Sequence, residues 1–329
     1  MSFMKTILGT ASVIAVSATA VLADPAIIFD IGGKFDKSFN EAAFAGAERW
    51  AAETGGTYRE FEISSEAQRE QALRRFAEAG SNPIVMTGFA FASSLETVSA
   101  DFPDTKFAII DMVVGNDNVA SVVFNEHEGS YLVGVAAAMA SKSGTVGFIG
   151  GMDIPLIRKF ACGYVQGVKA ANADATVIQN MTGTDYHAWN DPVKGGELTK
   201  AQIGQGADVV YAAAGGTGVG VLQTAADQGI FSIGVDSNQN YLHPGSVLTS
   251  MVKRVDVAVY NAFSQGTDLE TGFSVLGLAN GGIDYAIDEH NAGVFSADIK
   301  AAVDAAKASI IDGSIKVHDY MSDDSCPVS

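Results

Sequence analysis

Five places in the chain put polar or aromatic side chains where a strand-like run gives way to a loop. The first is Asp30-Ile-Gly-Gly-Lys-Phe-Asp-Lys-Ser-Phe-Asn40, after the apolar run Ala26-Ile27-Ile28-Phe29. It offers a carboxylate (Asp30), an aromatic ring (Phe39) and an amide (Asn40) at one mouth, while Gly32 and Gly33 allow a tight turn and close approach. The others are Asp111 after Phe107–Ile110, Gly215-Gly216 after Val209–Ala213, Asp236 after Phe231–Val235, and Lys253 after Val247–Val252. These types suit holding a flat, hydroxylated molecule. Phe39 and Trp189 can stack on a planar group, which is worth roughly 1–3 kcal/mol per base. Asn40 or Asp111 can meet its polar edge. Asp236 and Lys253 can grip vicinal hydroxyls through charge-assisted bonds worth roughly 1.5–3 kcal/mol each. Met86, Gly88 and Phe89 are candidates for the cleft lining. Plainer roles compete: Phe39 as a hydrophobic staple, Asp30 as a loop cap, Asp36 or Ser38 as a helix cap, and Met86 and Phe89 as core.

The elements that must position these groups alternate. Short apolar strands are followed by helix patterns such as 41–50, 65–80 and 93–102, and the order β-α-β-α implies a parallel, doubly wound sheet. Val119–Phe124 reads as an edge-like strand. A second set starts after Asn125-Glu126-His127-Glu128, with Glu126 and Glu128 read as caps of the next helix. In open α/β sheets ligands bind at the carboxyl ends of strands, which is where the five groups lie. The late helix after Lys253 and the strand near Ser274 are expected to return to the first set, and the helix 296–312 to the second. The expected units are residues 1–23 as a leader, a first lobe of 24–127 plus about 254–281, and a second of 128–253 plus about 282–329.

Composition narrows the function. The chain carries 20 basic and 38 acidic residues, a formal charge of −18, and is 47% hydrophobic. Nucleic acid and anionic membranes need basic patches, so neither is an expected partner. Lys5, the short apolar run Ile7–Ala20 and Val21-Leu22-Ala23 read as a secretory signal peptide cut before Asp24. No Cys lies near that cut, so no lipid anchor is expected. Cys162 and Cys326 either pair, tying the C-terminus to the second lobe, or remain two thiols. The five histidines show no metal spacing, so no metal is expected. Gly216-x-Gly218-x-Gly220 is a poor dinucleotide fingerprint because its third glycine is misplaced. No G-x-S-x-G is present.

The loop D-x-G-G-x-x-D-x-S-F-N resembles the signature of the basic membrane protein (BMP, Med/PnrA-like) family, and the resemblance runs over nearly the whole mature chain. It implies a two-lobed type I periplasmic binding protein, with two doubly wound parallel sheets joined by a hinge. It implies an ABC importer's solute-binding protein, not an enzyme, that captures a purine nucleoside (guanosine, inosine or adenosine) and hands it to permease subunits. A periplasmic monomer without a cofactor is expected. Matched to the family, Asp30, Phe39 and Asn40 are the first-loop ligand residues, Asp111 the acid of the first lobe, Gly215 and Gly216 the turn beside the sugar, and Asp236 and Lys253 the ribose-binding pair. Trp189 stands where nucleoside binders usually have Phe, which leaves the base preference open. Gly150-Gly151-Met152-Asp153 and Phe160 to Gly167 read as structural. A free purine base, a flavin or a sugar remain alternative ligands, nucleoside hydrolysis an alternative activity, and a sensor domain a further class.

Overall fold

The structure is a computed structural model that describes residues 24–328. The signal-peptide reading of residues 1–23 lies outside the described residues. The first run is β1 (Ala26–Phe29), α1 (Phe39–Thr54), β2 (Arg59–Glu62), α2 (Gln68–Glu78), β3 (Ile84–Thr87), α3 (Ala92–Asp101), β4 (Phe107–Ile110) and β5 (Val119–Phe124). The second is α4 (Glu126–Ala140), β6 (Thr145–Met152), α5 (Pro155–Ala171), β7 (Thr176–Gly183), α6 (Pro192–Gly204), β8 (Val209–Ala213), α7 (Thr217–Asp227), β9 (Phe231–Asp236) and β10 (Val247–Lys253). The chain ends with α8 (Val255–Gln265), β11 (Gly272–Leu276), β12 (Ile283–Tyr285) and α9 (Ala297–Ile311).

The strands form two six-stranded sheets, ordered β2-β1-β3-β4-β5-β11 and β7-β6-β8-β9-β10-β12. The first is parallel throughout. Every residue of β1, β3 and β4 is buried, because helices cover both faces of such a sheet, and this is why these strands are unbroken apolar runs. At the edge, β2 is largely exposed and carries Arg59, Glu60 and Glu62, charges that discourage pairing with another chain.

The chain crosses between the sheets after β5, β10 and β11. The helix α8 packs on α1, and α9 packs on α4. Two expectations need correction. β5 is not an edge, because β11 pairs with it in parallel on its outer side. The second sheet is not all parallel, because β12 runs antiparallel to β10. Between β10 and β12 the chain leaves the second sheet for α8 and β11 and comes back through residues 277–282.

Order reversals set the crevices. In the first sheet the order reverses between β1 and β3, and in the second between β6 and β8. The loops leaving those strands diverge there and open a binding crevice at each sheet's carboxyl edge. The second lobe is braced by α4 against α5. A Cβ on Gly163 or Gly167 would stand 2.4 and 2.0 Å from the carbonyl oxygens of His127 and Tyr131, so only glycine permits this approach. Cys162 on α5 is disulfide-bonded to Cys326, and Gln166 bonds both N and O of His318. The C-terminal segment is thereby fastened along α5.

Candidate ligand-binding site

One cavity lies between the two sheets' carboxyl edges and encloses about 650 Å³ of atom-free space, part of it open to solvent. Asp30, Phe39, Asn40, Gly88, Phe89 and Asp111 line it from the first sheet's loops, and Trp189, Gly215, Asp236 and Lys253 from the second. Two candidates stand outside it. Met86 is fully buried in the core beneath the first sheet with Ile28 and Ile84. On β3 it alternates with Thr87, and Thr87 is the one that faces the Asp30 loop. Gly216 is the N-cap of α7, packed under the carbonyl of Trp189 and the side chain of Asn190. Ile31, Gly32, Asp36, Leu156, Ile157, Phe160, Ala213 and Val235 add to the wall.

The first loop is organised by its own polar groups. Asp36 accepts from the backbone N–H of Ser38, Asn40 and Glu41, so it caps α1. Ser38 sits at the N-cap position but makes no capping bond. Its Oγ donates to Asp236 Oδ2 at 2.6 Å across the cleft. Burial pushes the Asp36 carboxyl up to about 7, against the pull of those three N–H donors. Asn40 spends its amide inside the loop: Nδ2 donates to Asp30 O and Gly33 O, and Oδ1 accepts from Thr87 Oγ1. It lines the cavity but holds the turn's shape. Phe39, the first residue of α1, is partly buried with its ring 5.2 Å from Lys253 Nζ.

Lys253 is the centre of the site's charge. It is the last residue of β10, 2% exposed. Its Nζ lies 2.7 Å from Asp111 Oδ2 and 2.9 Å from Glu126 Oε1, and the rings of Phe39, Phe124 and Phe160 surround it at 4.9–5.6 Å. Burial alone would lower the ammonium's pKa; Asp111, Glu126 and Asp236 outweigh burial and hold it above its ordinary value. Glu126 opens α4 and also meets Lys159 Nζ at 3.0 Å. Burial would raise its carboxyl, but Lys253 and Lys159 hold it below the usual range. Asp111 behaves otherwise: burial raises it to about 6, and Lys253 opposes that rise. Its Oδ1 is buried with no partner among the described residues. Buried acceptors are normally satisfied, and Asp111 lines the cavity, so its unpaired oxygen is available to a donor there. Asp111 and Asp236 also hold φ of +72° and +64°, a sparsely populated region for non-glycine residues that concentrates at functional sites.

The aromatic walls come from both sides. Trp189 ends a short turn, Tyr186–Trp189. A Cβ on Gly151 would stand 2.3 Å from the indole's six-membered ring, so this glycine near the end of β6 makes room for the ring. The lobes also touch directly. Ser237 Oγ donates to Ser38 O, Gln239 Nε2 donates to Lys37 O, and Tyr186 stacks on Phe89 at 6.3 Å between centroids. The structure is therefore closed over the cavity.

Glu126, Lys159, Phe160 and Arg69 belong to the site's surroundings and were not among the sequence candidates. Glu126 carried a signal, since it is the second residue after β5, but its helix-start position favoured the capping reading. Phe160 lies in the second turn of α5, beyond the reach of the strand-end reasoning, and its aromatic-on-a-helix pattern reads as core.

The comparisons with known proteins agree with this geometry. Residues 25–319 match the family model described as ABC transporter substrate-binding protein PnrA-like. The chain is 34% identical over 320 residues to the ABC transporter nucleoside-binding protein BmpA of Lactococcus lactis subsp. cremoris, covering 89% of this chain and 88% of that one. It is 34% identical to basic membrane protein A of Borreliella afzelii, over 70% of this chain and 72% of that one. Among solved structures, an ABC transporter solute-binding protein from Aeropyrum pernix superposes with a TM-score of 0.79 at 32% identity, covering 89% of this chain and 92% of that one. The regulator CcpA of Lactococcus lactis shares the fold alone, at a TM-score of 0.56 and 14% identity. The chain belongs to the PnrA-like Bmp family, and it is an ABC transporter substrate-binding protein.

Proposed function

We propose that this protein is exported to the periplasm by residues 1–23, captures a purine nucleoside between its lobes, and delivers it to permease subunits. The lobes are 24–127 with about 254–281, and 128–253 with about 282–329. The observation that carries this reading is the pairing, in one closed cavity, of a charged end and an aromatic span. Lys253, Asp111 and Asp236 supply one fixed cation and two carboxylates for ribose hydroxyls. Phe39 and Trp189 supply ring faces for a base. A free base would leave the orphaned Asp111 Oδ1 without a donor, and a bare sugar would leave the rings unused. Both arguments favour the nucleoside over its parts. The relative named as a nucleoside-binding protein supports the same class. Closing the lobes buries the ligand and presents one joined surface to a permease.

Calorimetry with inosine, guanosine and adenosine against ribose and adenine tests this. The expected result is tight binding of at least one nucleoside and weak binding of the parts. Ribose or adenine binding as tightly as every nucleoside overturns it. Free hypoxanthine appearing from inosine would show hydrolysis instead.

A further inference from the structure

Asp30 is held by one edge only. Its Oδ1 accepts from Arg69 Nη2 at 2.8 Å, Arg69 Nε at 3.3 Å and the N–H of Ile31 at 2.8 Å. Among the described residues nothing donates to Oδ2. A Cβ on Gly88 would stand 2.9 Å from that oxygen, so the glycine keeps it clear where Asp30, Gly88 and Phe89 together line the cavity. Arg69 itself does not line the cavity and is 4% exposed. Its guanidinium lies 4.4 Å from the Tyr186 ring and 5.7 Å from the Phe91 ring. The rings flank the guanidinium, and both of its N–H bonds converge on the one oxygen Oδ1 instead of forking across both carboxylate oxygens, so Oδ2 is left to meet another donor.

We propose that Arg69, without touching the ligand, makes Asp30 a fixed hydrogen-bond acceptor at the base end of the cleft, which thereby selects planar ligands bearing a ring N–H over isosteres that lack one. The proposal rests on the nucleoside reading for the identity of the planar group. The charges acting on Asp30 are Arg69 and Glu66, both on or beside α2, whereas those acting on Asp236 are Lys253 and Glu126. Asp30 and Asp236 thus answer to different neighbouring charges. Because Oδ1 already accepts three N–H bonds, a proton taken up by Asp30 sits on Oδ2 and turns the group facing the cavity into a donor. Burial raises the Asp30 carboxyl, Arg69 pulls it back and Glu66 raises it again. Arg69 is therefore a positioning residue whose loss shows in the pH dependence of selection.

The test compares inosine, which has a ring N1–H, with purine riboside, which has none, by calorimetry from pH 8 down to the lowest pH at which the protein stays folded. Wild type should prefer inosine by roughly ten- to hundredfold at pH 8, the range expected for one hydrogen bond to a charged group. The preference should fade as pH drops and Asp30 protonates. Arg69→Met should move the midpoint of that fading to higher pH, Arg69→Lys should move it less, and Asp30→Asn should abolish the pH dependence. Glu66 is exposed, so Glu66→Gln folds safely and should move the midpoint down. The carboxyl 13C titration of Asp30 in the ligand-free protein reads the same shifts without a nucleoside. Unmoved midpoints in both Arg69→Met and Glu66→Gln, or an equal loss of both nucleosides at every pH, overturn the proposal and leave Arg69 a packing residue. If wild type binds neither nucleoside, the ligand reading and the selection fail together, and the carboxyl titration still decides whether Arg69 governs the charge on Asp30.

Discussion

At the Asp30 end of the cleft the ion pair belongs to the first sheet alone: Asp30 follows β1 and Arg69 stands on α2, with Gly88 after β3 beside them. At the Lys253 end the groups come from both sheets. Lys253 closes β10, Asp111 follows β4, and Glu126 is the second residue after β5. The chain crosses between the sheets beside both Lys253 and Glu126, so this end lies at the hinge. The contrast shows how a two-lobed binder divides its labour. One end takes its carboxylate and guanidinium from a single lobe, and the second lobe adds only the Tyr186 ring over Arg69. The other is a buried ion network that ties the lobes together and meets the ligand where they join. Contacts at the mouth, such as Ser38 with Asp236 and Phe89 with Tyr186, form only when the lobes meet.

The largest effect should come from breaking the hinge-side network. Lys253→Ala leaves Asp111 and Glu126 buried without their shared cation. Removing one partner of a buried pair costs roughly 3–5 kcal/mol. A lowered melting temperature with no trace of nucleoside binding is expected. At a temperature where the variant stays folded, free base should lose far less affinity than nucleoside. An equal loss for both would place Lys253 away from the sugar and erase the contrast between the ends.

A middle-sized effect should come from the span between the ends. Phe39→Ala removes a ring that lines the cavity beside Lys253. A lost stacking face should weaken any purine ligand by roughly 1–3 kcal/mol, seen as a higher dissociation constant for nucleoside and base alike. An unchanged constant would make Phe39 a helix staple and leave stacking to Trp189.

The strands and their alternation with helices were legible because a parallel sheet buried on both faces demands apolar runs, and such runs end abruptly at the ligand edge. That regularity marked Asp30, Asp111, Asp236 and Lys253, each the last residue of its strand or the one after it. It also misled at Met86, where a strand buried on both faces gives no sign of which side faces the cleft. Gly216 was misread for a related reason, since two adjacent glycines do not reveal which one stays in the turn and which starts the helix. Arg69, Glu126 and Lys159 were hidden more deeply. A charged residue on a helix pattern reads as solvated surface, and only the fold brings Glu126 between two lysines that stand 33 and 127 positions away in the chain. The antiparallel β12 escaped because strand direction depends on which sheet and which end the chain returns from, and the composition of the strand does not carry that.

The smallest effect, and the sharpest on the comparison, is the pH dependence of affinity at the hinge side. Asp111 sits at about 6 because burial raises it further than Lys253 lowers it, with Glu126 and Asp236 adding to the rise. A carboxyl whose folded value lies above its unfolded one favours the protonated folded state, so its contribution to stability is full below about 4 and is lost as pH climbs through 6. Binding runs the other way. Ligand hydroxyls that donate to Asp111 stabilise its ionised form, so the ligand should release a proton near pH 6 and bind more tightly above it. One unit of displacement corresponds to about 1.4 kcal/mol, or tenfold in affinity. Calorimetry in two buffers of different ionisation heat should detect that proton at pH 6 and little at pH 8, and Asp111→Asn should remove it. The free base, which on this reading does not reach Asp111, should release no such proton. If base and nucleoside release it equally, the ligand's planar group lies against Asp111, and the two ends of the cleft must exchange their roles.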